Sequence, residues 1–316
     1  MAEQADTVAA IDCGTNSIKI LIGSVLPDGS IDVRVRESRV VRLGQGVDTT
    51  GELHPDALAR TFAALDELAG LVREHGVPTE RVTFCATSAT RDARNSDVFT
   101  TGVRERLGVS PRVLSGAEEA ALVYAGSMAG RSVEGPVLAV DIGGGSTELV
   151  LGEGTEPRES TSMDVGSVRL HERHLHADPP TSDQVAACVA DVEHHLDAAP
   201  VEIGAARTVI GTSGTVKTIA CAAMGLTSYD REAFDGAVLP VEDVRRACDR
   251  LVALSVAERR ALPYMHPGRA DVIGAGALIW SRILARATVA DVLVSEADLL
   301  HGIAATVPVG TRGDRP

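Results

Sequence analysis

The chain has 316 residues, 44% of them hydrophobic and only 3% aromatic, with a formal net charge of −14. That length favours two domains, and the composition describes an aliphatic, alanine-rich core. The acidic balance and the scarcity of rings argue against a non-specific nucleic-acid or membrane binder and against a base-stacking surface. An anionic substrate would have to be attracted by local arginine or lysine, by helix N-termini and by a metal cation. Five cysteines, Cys13, Cys85, Cys188, Cys221 and Cys248, form no CxxC pair and read as reduced thiols. No secretory leader precedes Val8, and no apolar run is long enough to span a bilayer, so a cytoplasmic protein is expected.

An internal repeat organises the chain. VAAIDCGTNSIKILIG, 8–23, aligns without a gap on VLAVDIGGGSTELVLG, 137–152. Each is an apolar run, a glycine-rich polar turn and a second apolar run, the pattern of a β-hairpin with a functional turn. After the first hairpin, 31–41 alternates as a third strand and 55–75 reads as an amphipathic helix. A short strand at 81–86, a helix at 95–107, a short strand at 112–114 and a helix at 117–129 lead into the second repeat. Beyond it come a helix at 182–198, a buried strand at 207–210 and helices at 215–223, 241–251 and 270–287. Strand–helix alternation predicts an α/β fold with a mixed sheet in each half. The tail after Val307, which contains a chance RGD triplet, reads as disordered.

Three turns carry chemistry, each following an apolar strand: Asp12 to Ser17, Asp141 to Thr147 and Gly211 to Thr215. Glycine lets the backbone approach a ligand closely, and successive N–H groups form an anion nest. The third turn also opens a helix, whose N-terminus attracts phosphate. None of the three matches a P-loop or GxGxxG pattern. Asp12 and Asp141 hold the same position in the two repeats. A carboxylate beside phosphate-binding N–H groups makes sense with a cation between them, or else as a cap on its own turn; both readings stand. Glu148 occupies the position of Lys19 in the first repeat, which suggests that only the second repeat gained an extra metal-side carboxylate.

DCGTNS, TSATRDARN, SGAEEA, DIGGGSTEL, GTSGTVK and PGRADVI together resemble the exopolyphosphatase/guanosine pentaphosphate phosphohydrolase (Ppx/GppA) family over nearly the whole chain. The resemblance implies an α/β protein of two duplicated actin-like (ribonuclease H-like) domains of the actin/hexokinase/Hsp70 superfold, with an interdomain cleft. The domains would be 1–126 and 127–295, with a closing helix near 296–307 packing back on the first and a tail at 308–316. It implies an exopolyphosphatase that releases terminal phosphate from polyphosphate, with pppGpp as a second substrate, in a cytoplasmic homodimer. Glu119 would be the catalytic base that orients water. Asp141 and Glu148, with Asp12, would be the carboxylates for Mg²⁺ or Mn²⁺. The phosphate cradles would be Gly14, Thr15, Asn16 and Ser17; Gly143, Gly144, Gly145 and Ser146; and Ser213, Gly214 and Thr215; Arg91 would also contact phosphate. From the residues alone, Glu119 is a solvated helix carboxylate.

The chain departs from the family in two ways. It lacks the extra C-terminal helical region of many relatives, so short-chain polyphosphate is the expected substrate. His301 stands in the closing motif where an acidic or basic residue is expected. His171, His174 and His176 do not share a helix face and have no fourth ligand, so a metal reading is set aside. Arg34 and Arg36 alternate with Val33 and Val35 as a half-exposed strand, either solvated or part of a polyanion path. Two further functions fit the motifs less well: a small-molecule kinase of the same superfold, and a polyphosphate or alarmone sensor without turnover.

Overall fold

The structure, a computed structural model, describes residues 7–307; the tail expected at 308–316 lies outside them. The chain divides into two compact units, one made of the residues up to Ser115 together with those from Leu299, the other running from Gly116 to Asp298.

The first unit holds strands β1 (Thr7–Cys13), β2 (Ser17–Val25), β3 (Ile31–Val40), β4 (Val82–Ala86) and β5 (Arg112–Val113), in the sheet order β3-β2-β1-β4-β5. β1 and β2 form the first repeat's hairpin, and β4 runs parallel to β1. Ile11, Ile18 and Ile20 face helices Pro55–Glu74 and Ser96–Leu107 through Leu65, Leu68 and Phe99. The closing helix Leu299–Ala305 packs on β1 and β2.

The second unit repeats the plan with β6 (Val137–Ile142), β7 (Thr147–Glu153), β8 (Glu156–Met163), β9 (Thr208–Gly211), β10 (Val238–Pro240) and β11 (Asp291–Val294). Their order is β8-β7-β6-β9-β11-β10: a three-stranded antiparallel meander, then parallel strands, as in the first unit, with β10 added antiparallel at the far edge. Both sheets thus have the topology of actin-like, ribonuclease H-like domains. The core of this unit is aliphatic around one tryptophan, with Val140, Leu149, Val216 and Ile219 packed with Trp280.

The two hairpins agree in register. Val8 pairs with Gly23 and Val137 with Gly152; Asp12 pairs with Lys19 and Asp141 with Glu148. Each second strand slips at its closing glycine, between Ile22 and Gly23 and between Leu151 and Gly152. The third strand crowds both glycines. A Cβ on Gly23 would stand 2.4 Å from the Asp32 carbonyl oxygen, and one on Gly152 2.5 Å from that of Glu156.

Helix Gly116–Met128 packs on β7 and β8, so the division of the chain falls before this helix and not at the expected 126. The sequence reading misses β8, β10, β11 and helix Ser167–His174, together with four short helices at Val47–Thr50, Ser88–Asp92, Arg231–Phe234 and Val256–Arg260. β8 reads EPRESTSM, a polar edge strand with no apolar alternation. Buried Arg259 donates to the carbonyls of Leu251, Val252, Ala270 and Asp271, and so ties the end of helix Val241–Ala253 to the loop that precedes helix Ile273–Arg286.

Gly23→Ala is expected to destabilise the protein by about 1–3 kcal/mol, because the new methyl meets backbone that cannot step aside. Gly70→Ala, in helix Pro55–Glu74 where an added Cβ meets nothing within 4 Å, is expected to stabilise it by about 0.5–1 kcal/mol. Urea denaturation of the two variants checks both signs.

Candidate active site

In the second unit three carboxylates converge. Asp141 ends β6 and faces Glu148 across the hairpin. Glu119 lies in the first turn of helix Gly116–Met128 and is 5% exposed, while Glu148 is 1% exposed. The residue that reads as a solvated helix carboxylate from sequence alone is therefore buried. Burial first, then the neighbouring charges of Glu119 and Asp141, push the Glu148 carboxyl well above the ordinary range; hydrogen bonds from Ser162 and Ser146 pull it down. The Ser162 hydroxyl donates to Glu148 Oε1 at 2.7 Å, and that of Thr212 to Asp141 Oδ2 at 3.1 Å.

The turn between β6 and β7 is braced from behind. Ser167 N–H donates to the Gly143 carbonyl at 3.0 Å, and Val168 and Arg169 donate to that of Gly144 at 2.8 and 3.1 Å. Arg169 Nε reaches the Gly145 carbonyl at 2.8 Å. With these carbonyls occupied, the amides of Gly144, Gly145 and Ser146 are the groups left to meet an anion. Gly166 permits this bracing, since a Cβ there would fall 2.4 Å from the Gly144 carbonyl.

The third turn joins the same cluster through the Thr212 N–H bond to Val140, 2.9 Å. Ser213 opens the 12-residue helix Ser213–Met224 at φ 72°, a left-handed conformation that non-glycine residues rarely adopt, and its buried hydroxyl has no hydrogen-bond partner. Thr215 packs beneath against helix Ile273–Arg286, where Gly276 leaves room for its methyl. Arg269, unremarked in the sequence beyond its PGRADVI motif, lies over Gly214: a Cβ on Gly214 would stand 2.2 Å from its guanidinium. Its Nη1 donates to Thr218 at 2.7 Å, and no carboxylate pairs with it among the described residues. Burial lowers its pKa, with Tyr229 and Cys221 opposing. A helix N-terminus, an unsatisfied hydroxyl and a guanidinium without a carboxylate have the chemistry to accept an anion.

The first unit carries the sister turn. Gly14 N–H bonds the Ser17 carbonyl at 3.0 Å, as Gly143 N–H bonds that of Ser146 at 2.9 Å. Thr15 and Ser88 share a hydroxyl hydrogen bond of 2.8 Å, which brings this turn to helix Ser88–Asp92, the bearer of Arg91. Arg91 donates to the Leu114 carbonyl at 2.9 Å. Asp12, 2% exposed, has its charge met by Lys19 at 2.9 Å. Asp12 Oδ1, Asn16 Oδ1 and Thr90 Oγ1 are buried without hydrogen-bond partners. The expected metal carboxylates thus divide: Asp141 and Glu148 share the second unit with Glu119, and Asp12 stands in the first beside its own cation.

The residues set aside have structural roles. His174 bonds Asp191 at 2.8 Å and so joins helices Ser167–His174 and Ser182–Ala198, while His195 meets the same carboxylate from within the second helix at 3.2 Å. Arg39 lies between Glu37 and Glu67, and Arg36 meets His301 Nδ1 at 3.3 Å. Among the described residues no group of three or more His, Cys, Asp or Glu side chains is arranged to hold a metal ion by itself. No helix of the described residues is long and apolar enough to cross a membrane.

Duplicated actin-like units with glycine-rich turns and a buried acidic cluster define a class of phosphate-processing proteins. The model of the Ppx/GppA phosphatase family matches residues 25–306, and the chain belongs to that family. It is an enzyme of the phosphohydrolase class. It is 45% identical over 314 residues to Exopolyphosphatase 2 of Mycobacterium tuberculosis, covering 94% of this chain and 97% of that protein. A crystal structure of an exopolyphosphatase-like protein is 43% identical, with a TM-score of 0.90 over 95% of this chain and 98% of that one. The guanosine-5'-triphosphate,3'-diphosphate pyrophosphatase of Vibrio cholerae is 34% identical over 216 residues, 67% of this chain but 42% of that protein.

Ser213→Gly is expected to stabilise the protein by about 1 kcal/mol. It relieves a left-handed non-glycine residue and an unsatisfied buried hydroxyl, offset in part by the entropy of glycine. Thermal and chemical denaturation would measure the gain; a clear loss of stability would mean that Ser213 is not strained.

Proposed function

We propose that this protein is a metal-dependent exopolyphosphatase that removes the terminal phosphate of short linear polyphosphate. The observation that carries the reading is the crowding of Glu119, Asp141 and Glu148 in one buried cluster beside two anion-binding turns. A cluster of buried carboxylates crowded together is matched by a hard divalent ion. Mg²⁺ suits it, because that ion keeps several waters and takes one or two carboxylates together with substrate phosphate, so no three-ligand cage is needed. Asp141 and Glu148 would hold it. When bound, it would supply positive charge to offset the charge of the phosphate oxygens.

The chain's own groups supply the rest. The amides of the turn at Gly144–Ser146 and the helix that starts at Ser213 hold the terminal phosphoryl group, with Arg269 against its oxygens. Arg91 and the Gly14–Ser17 turn are the matching phosphate-binding groups of the first unit. Glu119 accepts a hydrogen bond from water and so turns a lone pair towards phosphorus. Phosphoryl transfer asks for this positioning and charge neutralisation more than for covalent help. The relative from M. tuberculosis, named an exopolyphosphatase, supports polyphosphate as the substrate; the V. cholerae relative supports pppGpp as a second one. Release of phosphate from polyphosphates of graded length, with pppGpp and ATP in parallel, tests the assignment. Binding of polyphosphate with no phosphate release in Mg²⁺ would favour a sensor.

Glu119→Gln is expected to fold normally and to lower kcat by roughly 10²–10⁴, the usual cost of losing a positioned base. Wild-type turnover in that variant would remove Glu119 from the chemistry.

Treatment with EDTA is expected to abolish activity, and Mg²⁺ or Mn²⁺ to restore it. Asp141→Asn should raise the metal concentration at half-maximal rate. Full activity in excess chelator would refute the metal.

Short chains should be preferred, because phosphates beyond the first few meet weak attraction or repulsion. The net charge is −14, and Arg36 and Arg39 already have partners. Comparison of kcat/KM per chain end for oligomers of a few phosphates and polymers of hundreds, at two ionic strengths, measures this. A strong, salt-sensitive preference for long chains would reveal a basic track.

A further inference from the structure

We infer that Ser162 is the positioning residue of the acidic cluster: its hydroxyl aims the Glu148 carboxylate, and its Cβ sets how closely the helix that bears Glu119 approaches. The inference rests on the metal-dependent reading above.

Two independent contacts meet at this one side chain. Ser162 stands directly opposite Glu148 in the β7–β8 ladder, and its hydroxyl donates to Glu148 Oε1 at 2.7 Å. From its other side it receives Gly116, the first residue of helix Gly116–Met128. A Cβ on Gly116 would lie 2.6 Å from the Ser162 Cβ, closer than real Cβ atoms come, and a tight 3.1 Å from its Oγ. The helix therefore rests on Ser162 at its first turn, where Glu119 projects. The far end is held separately, by the Tyr124 hydroxyl donating to the Gly154 carbonyl at 3.1 Å.

Serine meets both demands. It has a hydroxyl to hold Glu148 Oε1, beside the hydrogen bond that Ser146 also gives this carboxylate, and no further atom to push the helix away. Alanine keeps the spacing and loses the hydrogen bond. A methyl on Gly116 keeps the hydroxyl and displaces it. Loss of a group that orients a metal-binding side chain typically costs about 10–100-fold in metal affinity.

The test is Mn²⁺ binding to the metal-free full-length protein, followed by electron paramagnetic resonance, with denaturation midpoint and kcat alongside. The variants are Ser162→Ala, Gly116→Ala and Gly116→Ala/Ser162→Gly, with Glu148→Gln as reference. Ser162→Ala is expected to keep the wild-type midpoint and weaken Mn²⁺ roughly 10–100-fold. Gly116→Ala should lower the midpoint, weaken Mn²⁺ and lower kcat. The double variant should recover the midpoint, because the clash is gone, and still bind Mn²⁺ weakly. Wild-type Mn²⁺ affinity in Ser162→Ala, with Glu148→Gln weakened, overturns the role of Ser162 and leaves the metal reading intact. If the wild-type protein binds no Mn²⁺ and works in chelator, the metal reading fails and this inference falls with it.

Discussion

The active site depends on one substitution inside a duplicated hairpin. In the first unit the cross-strand pair after the turn is Asp12 and Lys19, an ion pair of 2.9 Å that closes its own charge. In the second unit the pair in the same register is Asp141 and Glu148. Two carboxylates facing each other inside a protein repel, and the lower the local dielectric the more they do so. The Glu148 pKa is raised first by burial, then by Glu119, with the repulsion from Asp141 adding to both. The same backbone thus carries an ion pair in one unit and two facing carboxylates in the other. Serine and threonine hydroxyls donate to both of those carboxylates. Under the function proposed above, a divalent cation would offset their charge and a substrate phosphate would supply its remaining oxygens.

Much of this fold was readable from the sequence because the repeat is strict. An apolar run, a turn, an apolar run and a closing glycine recur at one spacing, and the structure reproduces them down to the slip at Gly23 and Gly152. The helices with apolar stripes were equally plain. β8 was not, because an edge strand with one solvated face has no apolar pattern to show, and EPRESTSM has the composition of a loop. Helix Ser167–His174 was obscured by its histidines, which suggest ligands; in the fold, His174 instead bridges to Asp191 on the neighbouring helix.

The site itself was legible only where it lies within a motif. The glycine-rich turns announce themselves by composition. Glu119 does not: a glutamate in a helix's first turn has the look of a solvated carboxylate, and only tertiary packing buries it. Ser162, Thr212 and Arg269 are further from view, since each reaches the cluster from a separate strand, turn or loop. Register gives a partial handle. Once β7 is paired with β8, Ser162 must face Glu148, so a sequence argument that had found β8 could have found its serine.

The distribution of cations sharpens the picture. Of the 30 Lys and Arg residues in the chain, only Lys19 and Lys217 are lysines. Both lie in the motifs, and both face carboxylates: Lys19 meets Asp12, and Lys217 meets Glu296 at 2.8 Å and Asp298 at 3.2 Å. A compact ammonium fits where a planar guanidinium with five donors would leave N–H groups unsatisfied. Arginine is used where its fork has several acceptors, as Arg259 does with four carbonyls. At Gly214 the fork of Arg269 meets the hydroxyls of Thr218 and Tyr229 and, among the described residues, no carboxylate. A buried guanidinium with donors to spare costs stability, as does Ser213 held at φ 72° with an unsatisfied hydroxyl. These costs fall together at one helix N-terminus, where phosphate oxygens would satisfy both groups at once. Polar groups are thus left wanting partners at the helix N-terminus to which the proposed function assigns the terminal phosphate, and phosphate oxygens bound there would complete the set.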